Sequence, residues 1–231
     1  MLISFEAEGD QVWEEQERAT VEQAALDIGK AIVRDINQVF ERFQRLHTMF
    51  VAPGDVRAPM APIDPAEAFL QVYGRPVRFR RKAENASGTF WGETMARDLV
   101  FIFRNAPHTN LQDAPAAVGN RPQFAVHELG HAFENVCVAA IGSKKGRESI
   151  PANLLNRPKG FFQPRRFQQS PSNGRGEIFA DMFIGWVYDR WETIDGLPDS
   201  PLRETGTARK RFMTDIMIDL IEAIINFNRN T

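Results

Sequence analysis

A mostly apolar segment at residues 124–141 contains two histidines four residues apart, His127 and His131. Its apolar residues recur at three- and four-residue steps, which predicts an α-helix with one buried face. Residues four apart lie one turn above each other on a helix, so the two imidazoles converge on one place while Glu128 points beside them. The segment therefore predicts a packed helix with the His-Glu-x-x-His arrangement of a metal site.

Two histidines leave a catalytic zinc site incomplete, because such sites usually have three protein ligands and keep one position open for water. Glu177 opens a second apolar stretch and is followed four residues later by Asp181, which predicts two carboxylates on one helix face. If this helix crosses the first, Glu177 completes the ligand set, and Asp181 accepts a hydrogen bond from the far nitrogen of His127. The predicted site is one Zn²⁺ held by His127, His131 and Glu177, with Asp181 supporting a ligand.

The His-Glu-x-x-His motif is followed 46 residues later by a Glu-x-x-Ala-Asp sequence that starts at Glu177. This combination resembles the gluzincin branch of zinc metallopeptidases. Within that branch, residues 177–183 are most similar to the compact helix of anthrax lethal factor-like and ImmA/IrrE-type peptidases. The resemblance covers the two helices rather than the whole chain. It implies the two histidines and Glu177 as zinc ligands and Glu128 as general base, and it assigns no substrate.

The residue that would stabilise the developing oxyanion stays open. Many gluzincins supply a tyrosine or a histidine for this purpose, and no motif places one here. Tyr188 lies on the second predicted helix but about three turns beyond its start, and His108 lies in the loop before the first helix. Arg165 and Arg166, in the long loop after the first helix, are two further candidates.

The metzincin pattern, which continues the motif with a glycine and a third histidine, is not present. Glu134 and Cys137 occupy those two positions. Without the glycine the helix carries Cys137 more than a turn beyond His131, so we expect the thiol to be a buried core group and not a ligand.

Hydrophobic patterning predicts an α+β fold with a small antiparallel sheet and a long N-terminal helix. The resemblance to gluzincins implies that this fold is zincin-like, with the sheet over the active-site helix and a helical lower half. The other predicted helices span residues 65–72, 177–191 and 207–227, and residues 11–50 are predicted to form one long helix or two joined ones. Period-two patterns predict an antiparallel meander of strands at residues 75–82, 89–95 and 98–104. The predicted organisation is an N-terminal helical segment at 1–50 packed on the catalytic part, a proline-rich linker at 51–64, and a catalytic domain at 65–231.

Composition and charge limit the classes of partner that we expect this chain to bind. The net charge is −2 and basic residues are scattered, so nucleic-acid binding has no electrostatic support. A single cysteine excludes an intrachain disulfide, and neither a signal peptide nor an apolar membrane span is recognised, so we expect a soluble, cytoplasmic protein that does not act at membranes.

The expected function is a zinc endopeptidase acting on a protein or peptide. Two alternatives are a catalytically silent zinc-binding module that recruits a partner protein and a zinc hydrolase of a non-peptide amide. Oligomeric state is not assigned.

Overall fold

Helices and a small sheet make up the part of the chain that the computed structural model describes, which is residues 1–50, 63–83, 92–103, 123–155, 174–189, 191 and 201–230. The strands are β1 (Ile3–Ala7), β2 (Val77–Lys82), β3 (Gly92–Ala96) and β4 (Leu99–Phe103). The helices are α1 (Glu15–Phe50), α2 (Pro65–Tyr73), α3 (Gln123–Ile141), α4 (Lys145–Glu148), α5 (Ala152–Leu155), α6 (Gly174–Tyr188) and α7 (Pro201–Arg229). The predicted α+β class is confirmed.

The sheet is mixed, with the strand order β1-β2-β4-β3. β1 pairs with β2 and β2 pairs with β4 in parallel, and only β3 and β4 pair antiparallel. The predicted antiparallel meander is therefore wrong. A meander would place β3 beside β2, but β4, whose five residues are all apolar, takes the interior position between two neighbours. β1, at the opposite edge, was not predicted.

The five predicted helices are present with shifted ends. α1 begins four residues later than predicted, α6 lies three residues earlier at both ends, and α7 is longer in both directions. Residues 51–62 of the predicted linker at 51–64 lie outside the described residues. The long loop at residues 142–174 contains the short helices α4 and α5, and its positions 156–173 are outside the described residues. Within the described ranges, no helix combines the length with the hydrophobicity that crossing a bilayer requires.

α1 connects the sheet to α6 through buried polar contacts. Arg81 of β2 forms a 2.6 Å ion pair with Glu17, and both side chains are almost fully buried. Further along α1, Asp35 accepts a 2.7 Å hydrogen bond from the indole nitrogen of Trp186 on α6, and Arg34 donates to the Trp186 carbonyl. Buried charges require such partners, so these pairs fix α1 against both elements.

α2 is a short helix with well-formed ends that supports α3. Pro65 occupies its first turn, the Asp64 carboxylate accepts a hydrogen bond from a first-turn amide, and Gly74 ends it with φ 76°. These residue types are the ones that start and stop helices. At the last position of α2, the Tyr73 hydroxyl donates a 2.9 Å hydrogen bond to the Leu129 carbonyl in the middle of α3.

α3 packs against β3 on one side and against α6 on another. Gly130 permits the close approach of α3 and α6, since a Cβ there would lie 3.2 Å from the Phe183 Cβ and 3.3 Å from the Ala180 Cα. The interface continues through stacked Phe133 and Phe179 rings. Residues 178–187 of α6 are all buried, as expected of a helix apolar on all sides. The two helices that carry the predicted ligands are thus in direct contact.

Candidate metal centre

The structure brings the three predicted metal ligands together at the α3–α6 contact. His127 and His131 lie one turn apart on α3, and Glu177 lies in the first turn of α6. The His127 Nε2 atom is 3.1 Å from Glu177 Oε2, and the His131 Nε2 atom is 3.4 Å from Glu177 Oε1. Each residue offers one ligand atom, and the three atoms all lie within 4.8 Å of one another.

The spacing and chemistry of this group fit a zinc ion. In a tetrahedral site with zinc–nitrogen and zinc–oxygen bonds of about 2.0–2.1 Å, neighbouring ligand atoms lie about 3.3–3.5 Å apart. The distances of 3.1 Å from His127 Nε2 to Oε2 and 3.4 Å from His131 Nε2 to Oε1 of Glu177 are close to this value, although each ends on a different carboxylate oxygen. The imidazole rings are nearly perpendicular, at 85°, with centroids 4.9 Å apart, and both present Nε2 to the same carboxylate. Two imidazoles and one carboxylate are a ligand set of catalytic zinc sites.

Asp181 supports the first of these ligands. Its Oδ1 atom lies 3.0 Å from His127 Nδ1, and its side chain is buried. Because Asp181 follows Glu177 by one helical turn, α6 supplies both the ligand and the acceptor for the opposite ring nitrogen. Such a carboxylate fixes the tautomer and ring orientation of a ligating histidine.

The electrostatics of the site favour positive charge. Burial acts to lower the pKa of His127, but its hydrogen bonds to Asp181 and Glu177 outweigh burial and raise the pKa to about 10. For Glu177, burial acts to raise the pKa, and the two histidines hold it well below its usual range. Asp181 has a raised pKa, chiefly because of burial. The field that favours an imidazolium also favours a metal cation at the same place.

His131 has a carboxylate partner that was not predicted. Glu134 is 2% exposed, and its Oε2 atom lies 3.6 Å from His131 Nδ1. Burial acts to lower the pKa of His131, and Glu134 followed by Glu177 outweighs it, raising the pKa to about 8. The other oxygen of Glu134 lies 3.6 Å from Arg147 Nε on α4. The three-residue spacing from His131 to Glu134 was the available signal, since it places both on one helix face.

Glu128, the predicted general base, lies between α3 and β3. Its side chain is buried, and the Thr94 hydroxyl oxygen lies 2.9 Å from Glu128 Oε2 and 3.0 Å from the Glu128 carbonyl. Gly92 provides the space for this carboxylate, since a Cβ at that position would lie 2.7 Å from Glu128 Oε1. Neither β3 residue was predicted, because no local pattern indicates which strand faces α3.

Of the four candidates for oxyanion stabilisation, only Tyr188 lies within the described residues, and it lies away from this group. Tyr188 lies eleven residues beyond Glu177 on α6, which is about 16 Å along the helix axis. His108, Arg165 and Arg166 lie outside the described residues. Cys137 is buried in the core, as predicted, and burial raises the pKa of its thiol to about 12.

Comparison with known proteins gives no relatives. No protein-family model, curated protein or solved structure matches the chain. The chemistry that the site can perform is therefore argued from its residues and their geometry.

Proposed function

We propose that this protein is a zinc-dependent metallopeptidase with a zincin-like arrangement of its two site helices. The observation that carries the proposal is the convergence of His127 Nε2, His131 Nε2 and the Glu177 carboxylate within 4.8 Å. The 3.0 Å contact of Asp181 with the opposite nitrogen of His127 supports it, since metal-ligating histidines usually have such a partner.

In this proposal His127, His131 and Glu177 would hold the ion together with a water molecule. Bound zinc would lower the pKa of that water to about 7 and polarise the scissile carbonyl. Glu128 accepts the proton released by the attacking water and delivers it to the leaving nitrogen, so it is unchanged at the end of the cycle. The Thr94 hydroxyl, 2.9 Å from Glu128 Oε2, holds the carboxylate in place without adding charge.

The test compares purified wild-type protein with Glu128→Gln and His127→Ala. Bound zinc is measured by elemental analysis, and hydrolysis is followed with fluorescent casein and a mixture of quenched-fluorescence peptides. We expect one zinc per chain and cleavage for the wild type. Glu128→Gln should keep zinc and lose about 10²–10⁴-fold in turnover, because a general base contributes this much. His127→Ala should lose both.

Three results would contradict the proposal in different ways. Wild-type protein that takes up no zinc would remove the metal centre itself. Zinc binding without peptide cleavage would favour the catalytically silent module. Cleavage of small-molecule amides with no cleavage of peptides, again dependent on Glu128, would favour the hydrolase of non-peptide amides. Glu222→Gln, an exposed substitution on α7, controls for the loss of one acidic group.

A further inference from the structure

We infer that Glu134 and Arg147 form a positioning pair that orients His131 as a metal ligand. The inference rests on the proposed metal centre and adds two residues to it. Asp181 performs the corresponding task for His127 from α6. Glu134 performs it for His131 from α3, with Arg147 of α4 on the opposite side of the carboxylate.

Glu134 is a buried carboxylate. Its side chain is 2% exposed, and Oε1 has no hydrogen-bond partner among the described residues. Isolating a carboxylate from water is costly unless cationic groups or hydrogen-bond donors compensate. The groups that face it are His131 Nδ1, 3.6 Å from Oε2, and Arg147 Nε, 3.6 Å from Oε1. The carboxylate therefore lies between the ring nitrogen that faces away from Glu177 and a permanent cation.

Gly176 provides the space in which these three groups meet. A Cβ at Gly176 would lie 2.9 Å from an Arg147 terminal nitrogen, 3.7 Å from Glu134 Oε2 and 3.9 Å from His131 Cε1. A Cβ at this position would require the Arg147 guanidinium to shift, while its distances to Glu134 and His131 are ordinary van der Waals contacts. Because Gly176 directly precedes the ligand Glu177, the first turn of α6 borders the pair and the ligand group together.

The backbone of α4 is held against α6, so the position of Arg147 is defined relative to the site. Arg175 of α6 donates hydrogen bonds of 3.1 Å to the Glu148 and Ile150 carbonyls. Gly146 of α4 packs closely against the Phe179 ring of α6, since a Cβ at Gly146 would lie only 2.6 Å from a ring carbon. Arg147 thus extends from a fixed segment to Glu134.

The consequence for His131 is a defined ring orientation. A carboxylate 3.6 Å from Nδ1 pairs with that side of the ring, which leaves Nε2 free to bind a metal on the side of Glu177, 3.4 Å away. Arg147 acts through Glu134, by holding the carboxylate in place. Both are positioning residues rather than ligands.

The test measures zinc affinity by competition with a chromophoric chelator for wild type, Glu134→Gln, Arg147→Ala and the double variant. Loss of such a carboxylate typically weakens metal affinity about 10–100-fold, and we expect this for Glu134→Gln. Arg147→Ala should weaken it less. The double variant should be no weaker than Glu134→Gln, because Arg147 acts through Glu134. Lys145→Ala, an exposed cation two residues away on α4, should not change it.

A spectroscopic readout separates orientation from general loss of stability. Cobalt(II) substituted for zinc reports ligand geometry in its visible absorption bands, which should change in Glu134→Gln and Arg147→Ala but not in Lys145→Ala. Circular dichroism of the metal-free variants checks the fold. If Glu134→Gln does not fold, the test uses variants of the partly exposed Arg147. Arg147→Ala should weaken zinc binding, and Arg147→Lys, which keeps the positive charge, should bind zinc more tightly than Arg147→Ala.

Unchanged zinc affinity and cobalt spectra in folded Glu134→Gln and Arg147→Ala would overturn the inference while leaving the metal centre intact. A double variant weakened by the sum of the two single losses would also contradict it. Wild-type protein that binds neither zinc nor cobalt would overturn the proposed function, and this inference with it.

Discussion

The two sides of α3 that meet other elements of the site are built differently. Against α6, His127 and His131 meet charged carboxylates, and a single helix delivers both Glu177 and Asp181. Against β3, Glu128 meets the uncharged hydroxyl of Thr94 and the space beside a glycine. The α6 side thus surrounds two histidines with carboxylates, whereas the β3 side places an uncharged donor beside a carboxylate.

This difference has a physical basis in charge. Asp181 and Glu177 raise the pKa of His127 to about 10 against the effect of burial, so the α6 side stabilises positive charge. The Thr94 hydroxyl fixes Glu128 by one hydrogen bond without placing a second charge on it. Metal binding and proton transfer should therefore be separable by substitution on one side or the other.

The largest effect should come from Glu177→Gln on the α6 side. The amide keeps the shape of the side chain but removes the charged ligand, so zinc affinity should fall by more than the roughly 100-fold that loss of a supporting residue can cause. Competition with a chelator measures it. Glu222→Gln, on the exposed surface of α7, is the matched control. Stoichiometric zinc held by Glu177→Gln at wild-type affinity would remove Glu177 from the ligand set.

A smaller effect on the same side should come from Asp181→Asn. The ring of His127 loses its carboxylate partner while the three ligands stay, so we expect an affinity loss of about 10–100-fold, measured by the same titration. Asp219→Asn, exposed on α7, serves as control. If Asp181→Asn binds zinc as tightly as the wild type, the 3.0 Å contact with His127 has no role in holding the metal.

The smallest effect should come from the β3 side, with Thr94→Val. A hydrogen bond to a charged group contributes about 1.5–3 kcal/mol, so kcat should fall about tenfold if part of this holds Glu128 in place. Zinc affinity should not change, and Thr94→Ser, which keeps the hydroxyl, should retain most of the activity. A loss of zinc affinity in Thr94→Val as large as that in Asp181→Asn would show that the two sides are not separable.

The sequence predicted the parts of the site whose geometry is local. The spacing of His127, Glu128 and His131 fixes their relative directions once the segment is helical. The four-residue spacing of Glu177 and Asp181 likewise predicted that both lie on one helix face at the same site. The structure brings them to opposite nitrogens of the His127 ring. The periodicity of apolar residues was sufficient for the five longer helices.

What the sequence did not predict depends on contacts between distant segments. The parallel pairing of β2 with β4 depends on which strand takes the interior position beside β2, and three strand-like segments in succession are equally compatible with a meander. The contact of Thr94 with Glu128 depends on that arrangement. Arg147 reaches Glu134 only because α4 packs on α6, which no spacing within the chain indicates.

The central claim is that His127, His131 and Glu177 bind one zinc ion. It is tested most directly by a crystal structure of the zinc-loaded protein, with anomalous diffraction recorded on both sides of the zinc absorption edge. We predict one anomalous peak about 2.0–2.2 Å from His127 Nε2, His131 Nε2 and a Glu177 carboxylate oxygen, with Asp181 still on the Nδ1 side of His127. Absence of a peak at this place, or a zinc ion held by other residues, would contradict the account.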